Sequence, residues 1–383
     1  MRILHVGKYY PPFRGGMETA LQNLAEGQLD AGCEVSLVTA GADSLDVCEV
    51  IRGPVTGKCG RLARAAVLGV VNSQPVTPGL VGMLRREVAL FSPDVVHLHL
   101  PNPLAAAAWI GLVVSGFSTS ASLAVWYHAD ITRQRLGRRL VRPLVAACLS
   151  RAAGICVSSQ SLVKQSPVLL THAGKVAVLP FGIAPQPWLD VQPTGDGPFL
   201  FVGRLVPYKG VAVLLEALQR VPAASLVIVG EGPEKESLAA QASRLAIRQR
   251  VRFVGTLDER GIAGHLARAR ALVLPSVDAS EAFGLVQLEA MGSAVPVVAT
   301  DLPTGVPEVG VPEETGLLVA PGDVAGLAGA MERLLADPQW AQALGQAGRQ
   351  RFRQRYTREQ MTVKVIAWYG DLLASGPGRE AAL

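Results

Sequence analysis

Two carboxylates eight residues apart, Glu281 and Glu289, sit in the string PSVDASEAFGLVQLEAM, residues 275–291. A carboxylate accepts hydrogen bonds from sugar hydroxyls. The pattern predicts a helix from about Phe283, which leaves Glu281 on the preceding loop and puts Glu289 between one and two turns in. Were the whole interval helical, the two would stand about 12 Å apart along the axis, the reach from a sugar past two phosphates to a ribose. Between them lie the amides of Phe283, Gly284 and Leu285, at a helix start whose N–H groups lack intrahelical acceptors and suit phosphate oxygens. One helix start can thus hold sugar, diphosphate and ribose in order. In isolation two such glutamates are better explained by an acid favoured at a helix N-terminus and an incidental second; what surrounds them decides.

A second group is GRLVPYKG, residues 203–210, which follows a strand and enters a helix. Beside Gly203, Arg204 offers a planar fork and Lys209 a compact point charge, a combination that grips a diphosphate. Two solvent-exposed bases beside a turn explain the same residues equally well. A third is residues 8–16, ending in Gly15 and Gly16 before a helix. Adjacent glycines permit positive φ and close approach of backbone to a ligand, and the helix start favours a phosphate. An ordinary strand-to-helix turn is the commoner explanation, and the string is neither a Walker loop nor GxGxxG. His5, His99 and His128 fall near predicted strand ends. His97 and His99 lie two apart on one strand, but no acidic or cysteine partner is near them in sequence and no Asp-x-Asp pair occurs, so no metal is expected.

These residues need elements to position them. Apolar runs at 3–6, 35–39, 95–98, 124–128 and 154–157 alternate with helical patterns at 18–31 and from Leu104. That is an α/β pattern with parallel sheets, in which ligands bind beyond the carboxyl ends of strands. Prolines and glycines crowd residues 180–198, and the pattern restarts at 199–202, 211–218, 225–229, 251–254, 271–274 and 295–299. The expected organisation is an N-terminal Rossmann-like domain at 1–184, a linker at 185–198, a second such domain at 199–355, and a C-terminal helix and tail at 356–383 that crosses back. Residues 338–373 read as helical, with Arg349, Arg351, Arg353 and Arg355 on a solvated face.

The 383 residues, 49% hydrophobic and 17% charged, can bury two cores and do not suit disorder. Met1–Gly182 holds 17 Lys+Arg against 10 Asp+Glu, and the rest holds 19 against 21. A basic first half suits an anionic partner or membrane surface, or is drift in an Arg-rich composition. Five widely spaced cysteines without a CxxC pair suggest neither a disulfide framework nor zinc. No signal peptide is read at the start, and residues 104–117 are too short to span a bilayer. The expectation is a cytoplasmic protein, peripheral at the inner face of the membrane. No nucleic-acid-binding motif is found.

Taken together, the strings resemble a known family. SEAFGLVQLEAM matches the E-x7-E signature of retaining family-4 glycosyltransferases of the GT-B fold, and GRLVPYKG their phosphate motif. PPFRGGME resembles their N-terminal Gly-Gly loop, VGEGPEKESL the segment after a following strand, and ETGLLVAPGD a loop near the domain end. The resemblance implies two Rossmann-like domains with parallel sheets facing across a cleft. It implies that Arg204 and Lys209 neutralise a nucleotide-sugar diphosphate, that Glu289 binds ribose and Glu281 the transferred sugar, and that the amides of Phe283, Gly284 and Leu285 hold phosphate, with Gly15 and Gly16 approaching from the other domain. His128, in WYHADITRQ, matches a histidine that faces the donor sugar.

The chain departs from the family at Gly292-Ser293-Ala294, where Ala-Cys-Gly is usual, and at Phe181 and Ala184, where the linker usually has Asn and Asp. The implied reaction retains anomeric configuration, needs no metal or other cofactor, and assigns no protein general base. WYHAD and PFGI are similar to strings of bacterial surface-polysaccharide enzymes, often mannosyltransferases, which suggests GDP-mannose and a saccharide acceptor, free or lipid-linked. Arg133, Arg135, Arg138, Arg139 and Arg142 would meet a pyrophosphate-linked lipid or an anionic membrane, or else form a solvated helix face. The alternatives are a specialised-metabolite glycosyltransferase, a sugar-nucleotide epimerase on a similar fold, and an idle sugar-nucleotide-binding protein.

Overall fold

The computed structural model describes residues 1–13, 15–71, 74–130 and 135–375, with the side chains of 135–140 excepted. The chain divides into two compact units, Met1–Gly182 with Arg358–Leu383, and Ile183–Thr357. The segment 185–198 therefore lies within the second unit.

The first unit runs β1 (Arg2–Val6), α1 (Gly16–Asp30), β2 (Glu34–Ala40), β3 (Val47–Arg52), β4 (Cys59–Ala65), β5 (Gly69–Val71), β6 (Gln74–Val76), α2 (Leu80–Phe91), β7 (Val95–Leu100), α3 (Pro103–Val114), β8 (Ser122–Tyr127), α4 (Arg135–Arg151), β9 (Gly154–Val157), α5 (Gln160–Gln165), α6 (Pro167–Leu170) and β10 (Val176–Val178). Its main sheet has the order β10-β9-β8-β7-β1-β2-β4-β3. The sheet is parallel except at the edge, where β3 pairs antiparallel with β4. β7, β8 and β9 are buried along their whole length, the condition of strands covered on both faces. The apolar helix expected near Leu104 is α3. Asn102 caps it by accepting from the Ala105 N–H, with Pro103 in the first turn.

The second unit runs β11 (Phe199–Val202), α7 (Val211–Arg220), β12 (Leu226–Val229), α8 (Lys235–Arg244), β13 (Val251–Gly255), α9 (Glu259–Leu266), β14 (Leu272–Leu274), α10 (Val286–Gly292), β15 (Val297–Thr300), α11 (Val306–Val309), β16 (Gly316–Val319), α12 (Val324–Ala336) and α13 (Pro338–Arg355). Its sheet is parallel throughout, in the order β13-β12-β11-β14-β15-β16. The core between sheet and helices is built of Phe199, Phe201, Leu214, Leu218, Ile228, Val298 and Met331.

The helical tail is two helices. α13 ends at Arg355, and α14 (Arg358–Ala374) belongs to the first unit. There Arg358 Nη2 pairs with Glu26 Oε2 at 3.1 Å and Nε donates to Asn23 Oδ1 at 3.2 Å. The expected solvated arginine face is corrected in part. Arg349 is buried, its Nε donating to the Gly292 carbonyl, and Arg351 donates to the carbonyls of Val309 and Glu308. Guanidinium groups here satisfy carbonyls that water would otherwise have to reach. Arg353 and Arg355 are exposed.

Candidate active site

In the second sheet the order of connection reverses between β11 and β14. A crevice opens beyond the carboxyl ends of strands at such a switch point. The loop after β11 carries Gly203, Arg204 and Lys209; the loop after β14 carries Ser276 and Glu281. Neighbouring strands thus bring the two strings together. Lys209 Nζ and Glu281 Oε2 stand 2.5 Å apart, with side chains only 12% and 9% exposed. Ser276, fully buried, donates from Oγ to the same Oε2 at 3.0 Å, and Thr300 Oγ1 donates to the Ser276 carbonyl at 2.6 Å. The loops are locked together by the Val277 N–H on the Tyr208 carbonyl, 2.8 Å. Gly210 has φ +67, and a Cβ there would overlap the Pro275 carbonyl, so only glycine lets the loops approach this closely. Arg204 is exposed, with no ion-pair partner among the described residues.

The helix after Glu281 starts at Val286, not near Phe283. Gly284 lies at φ +74, where an added Cβ would collide with Leu274 and crowd Gln287, and the Gly305 N–H ties back the Ala282 carbonyl at 2.8 Å. These two features hold residues 281–284 in a loop. Glu289 consequently falls in the first turn, and Glu281 and Glu289 are not joined by continuous helix. Burial pushes the Glu289 carboxyl up to about 8, with Glu259 adding to the push and Lys209 opposing it. Its Oε2 is enclosed without a hydrogen-bond partner among the described residues, so the group has hydrogen-bonding capacity left for a hydroxyl of a ligand. After α10, Ala294 takes the place of the family's usual glycine and sits at φ +55, a left-handed position that strains any residue with a Cβ.

Gly15, Gly16 and His128 belong to the first unit. Gly15 has φ 179, ordinary extended backbone, and Gly16 opens α1, so neither glycine takes the expected positive φ. A Cβ on Gly15 would overlap the Glu18 carboxylate, which turns back over the start of α1. Burial pushes the Glu18 carboxyl above its ordinary value, against its own backbone N–H and the charge of Lys8. The helix start expected to take a phosphate therefore already has an anion beside it.

His128 follows β8 and is buried, its N–H on the Leu100 carbonyl at 2.7 Å. His5 and His97 are register partners on β1 and β7, and His99 follows two residues later on the same face. The ring nitrogens of His5, His97 and His99 all come within 4.8 Å of one another, a spacing that a metal can use. Those of His5 and His99, however, already face hydrogen-bond partners. His97 is held from the other side by Tyr369 of α14, Oη to Nδ1 at 2.5 Å. Desolvation holds all four rings neutral, His5 at about 4, His128 at about 3, His97 and His99 well below the usual histidine range. Phe181, at the linker's unusual position, stacks on Trp126 (5.1 Å between centroids) and on His128 (5.6 Å).

Ser276, Thr300, Glu18 and Tyr369 were not singled out from sequence. Ser276 and Glu18 lie inside the quoted strings and could have been read as partners of Glu281 and Gly15. Nothing in the sequence places Tyr369 beside His97. The basic run at Arg133, Arg135, Arg138 and Arg139 lies outside the described side chains; Arg142 is exposed on α4. No helix among the described residues is long and apolar enough to cross a membrane.

Two parallel-sheet α/β units, one carrying the Lys209–Glu281 pair at its switch point, define a GT-B glycosyltransferase fold. Known proteins agree. The family model described as Glycosyl transferases group 1 matches residues 191–351, and that of Glycosyltransferase Family 4 matches residues 14–186. The O-antigen chain mannosyltransferase C of Escherichia coli is 29% identical over 98% of this chain and 100% of its own length. The D-rhamnosyltransferase WbpZ of Pseudomonas aeruginosa is 32% identical, over 93% of this chain and 92% of its own. Among solved structures, sucrose-phosphate synthase of Thermosynechococcus elongatus superposes with a TM-score of 0.81 at 24% identity, covering 98% of this chain and 100% of that one. The chain belongs to the group 1, family 4 glycosyltransferases.

Proposed function

We propose that the enzyme transfers a hexose, with retention of configuration and without a metal, from a nucleoside-diphosphate sugar to a hydroxyl of a saccharide acceptor, free or lipid-linked, in surface-polysaccharide or glycoconjugate synthesis. GDP-mannose is the first donor to test, because the Escherichia coli relative is named a mannosyltransferase. The observation that carries the proposal is the buried Lys209–Glu281 pair at the switch point. Lys209, released in part from Glu281, and the exposed Arg204 neutralise the diphosphate as it departs; such preorganised charge lowers a barrier far more than it would in water. Glu281 then has lone pairs for hydroxyls of the sugar. Glu289 offers its enclosed oxygen to the ribose. The amides of Phe283, Gly284 and Leu285 contact the phosphates, with Gly15 and Gly16 serving the same diphosphate. His128 contacts the donor sugar. The positive charge of residues 1–182 fits peripheral contact with an anionic membrane at its cytoplasmic face.

The test is a thermal-shift comparison of GDP, UDP, ADP and dTDP, with and without magnesium. It is followed by transfer from the corresponding sugars and NMR of the product's anomeric proton. A stabilising shift with GDP, unchanged in chelator, and an axial mannoside product are expected. Inversion, or activity lost in chelator and restored by magnesium, would overturn the mechanism.

A further inference from the structure

The four buried histidines of the first unit are not four independent side chains. His5 Nε2 faces Gln28 Oε1 at 2.7 Å. His5 Nδ1 faces His99 Nε2 at 3.1 Å, and His99 Nδ1 faces His128 Nε2 at 3.0 Å. The result is a line from α1 through β1 and β7 to the end of β8. Gln28, His5 and His99 are buried at 0%, 0% and 4% exposure. Trp126 lies nearly parallel to both His99 and His128, at 14° and 12°, and fixes their ring planes.

A neutral imidazole has one N–H and one lone pair. In a line of neutral rings each contact holds one proton, so the direction of the first contact sets all the others. A carbonyl oxygen only accepts. Gln28 Oε1 therefore requires the proton of His5 on Nε2, which leaves His5 Nδ1 to accept from His99 Nε2, and His99 Nδ1 to accept from His128 Nε2. The lone pair left over is on His128 Nδ1, the only ring nitrogen of the line without a partner among the described residues. With the Gln28 amide turned over, every proton would move to the other nitrogen and His128 would donate instead.

We propose that Gln28, His5 and His99 are positioning residues that hold His128 in its Nε2–H form and present its Nδ1 as an acceptor to a hydroxyl of the donor sugar. The proposal rests on the assignment of His128 to that sugar. Burial of the rings keeps the line neutral through the physiological range, so the direction is not lost to protonation. The same line excludes a donor atom that a sugar oxygen lacking its hydrogen could use, so it selects for a free hydroxyl at that position.

The test uses the full chain with 15N-labelled histidine. There are six histidines to assign, and long-range 1H–15N spectra distinguish the two neutral tautomers. His5, His99 and His128 are expected as Nε2–H. In Gln28→Met, which keeps the volume but removes the acceptor, His128 should show both tautomers. Transfer should fall by up to about tenfold, the size of one hydrogen bond, with the affinity for free nucleotide diphosphate unchanged. Gln28→Glu, which can still accept, should restore a single tautomer and most of the transfer. An Nδ1–H signal for His128 in the unaltered protein overturns the proposal, even if no Gln28 variant folds. Undiminished transfer in Gln28→Met with mixed tautomers overturns it as well. His128→Ala separates the two layers: full transfer there removes the donor-sugar assignment, while the spectra still report on the line itself.

Discussion

The two units solve the problem of a buried polar site in opposite ways. The second keeps charge inside and pairs it: Lys209, Glu281 and Ser276 share one carboxylate oxygen. Around its histidines the first keeps charge out: His5, His97, His99 and His128 are all held neutral by desolvation, and every ring nitrogen but His128 Nδ1 faces another of these rings or a neighbouring side chain. A paired charge can be redistributed when an anion arrives, at the cost of exposing its former partner. A neutral line cannot answer a charge, but it can fix a direction. The first arrangement suits a diphosphate and the second an uncharged sugar.

The largest effect that would break this comparison is at Lys209. Lys209→Ala leaves Glu281 buried without its counter-charge, and removing one partner of a buried pair costs about 3–5 kcal/mol. Transfer should fall by about 10²–10³-fold or more through lost charge stabilisation. The double variant Lys209→Met with Glu281→Gln separates the two losses. Its melting temperature should return toward that of the parent while transfer stays abolished. Recovery of transfer in the double variant would make the pair structural.

A second effect sharpens the comparison, because the units should respond to pH with opposite sign. In the first unit the histidine pKa values lie below the unfolded value of 6.5, His5 at about 4. The unfolded chain therefore binds more protons between these limits, and stability falls as pH drops below 6.5, by about 3 kcal/mol for His5 alone once pH reaches its folded value. In the second unit Glu289 lies at about 8, above its ordinary 4.5. The folded state there holds the extra proton, and stability falls as pH rises from 4.5 to 8. Hydrogen exchange should show β1 and β7 loosening between pH 6.5 and 5, while amides of α10 tighten. Glu289→Gln should flatten the second trend and leave the first unchanged. Parallel trends in both units would remove the contrast.

How far the sequence spoke for this arrangement depends on where the information lies. Central strands such as β9 and β11 are short runs of buried apolar residues with nothing polar to obscure them, and residues 154–157 and 199–202 are legible to the residue. β3 and β4, VCEVIR and CGRLARA, carry charges and exposed faces, so only their pairing with each other and with β2 identifies them. Among the site residues, Glu281 and Lys209 were legible as types and as neighbours of turns. Their 2.5 Å contact needs the order β11-β14, which skips two strands of the chain. The histidine line is harder still. His97 and His99 mark one face of β7 by their spacing, but His5 joins them only through the register of β1. The three-residue error in the start of α10 comes from Gly284, whose φ of +74 no propensity rule would place inside an otherwise helical string.

The smallest predicted effect is at Glu18, an acidic group that the first unit holds beside a proposed ligand site. Glu18 turns back over the start of α1 beside Gly15, with its carboxyl raised by burial and Lys8 close enough to oppose the shift. If a donor phosphate takes the same helix start, it must displace or neutralise that carboxylate. Glu18→Gln removes the competing charge and keeps the shape. The substitution forfeits a favourable acid at the helix N-terminus, worth about 0.3–1 kcal/mol, so the free protein should melt slightly lower. Nucleotide diphosphate should nevertheless bind tighter by a factor of about three, the same interaction now made by the ligand rather than by the protein. Calorimetry on both proteins at one ionic strength reads the difference directly. Weaker binding in Glu18→Gln would mean that the carboxylate orders the loop for the donor instead of holding its place. The first unit would then use charge as the second does, through a pair that the ligand completes.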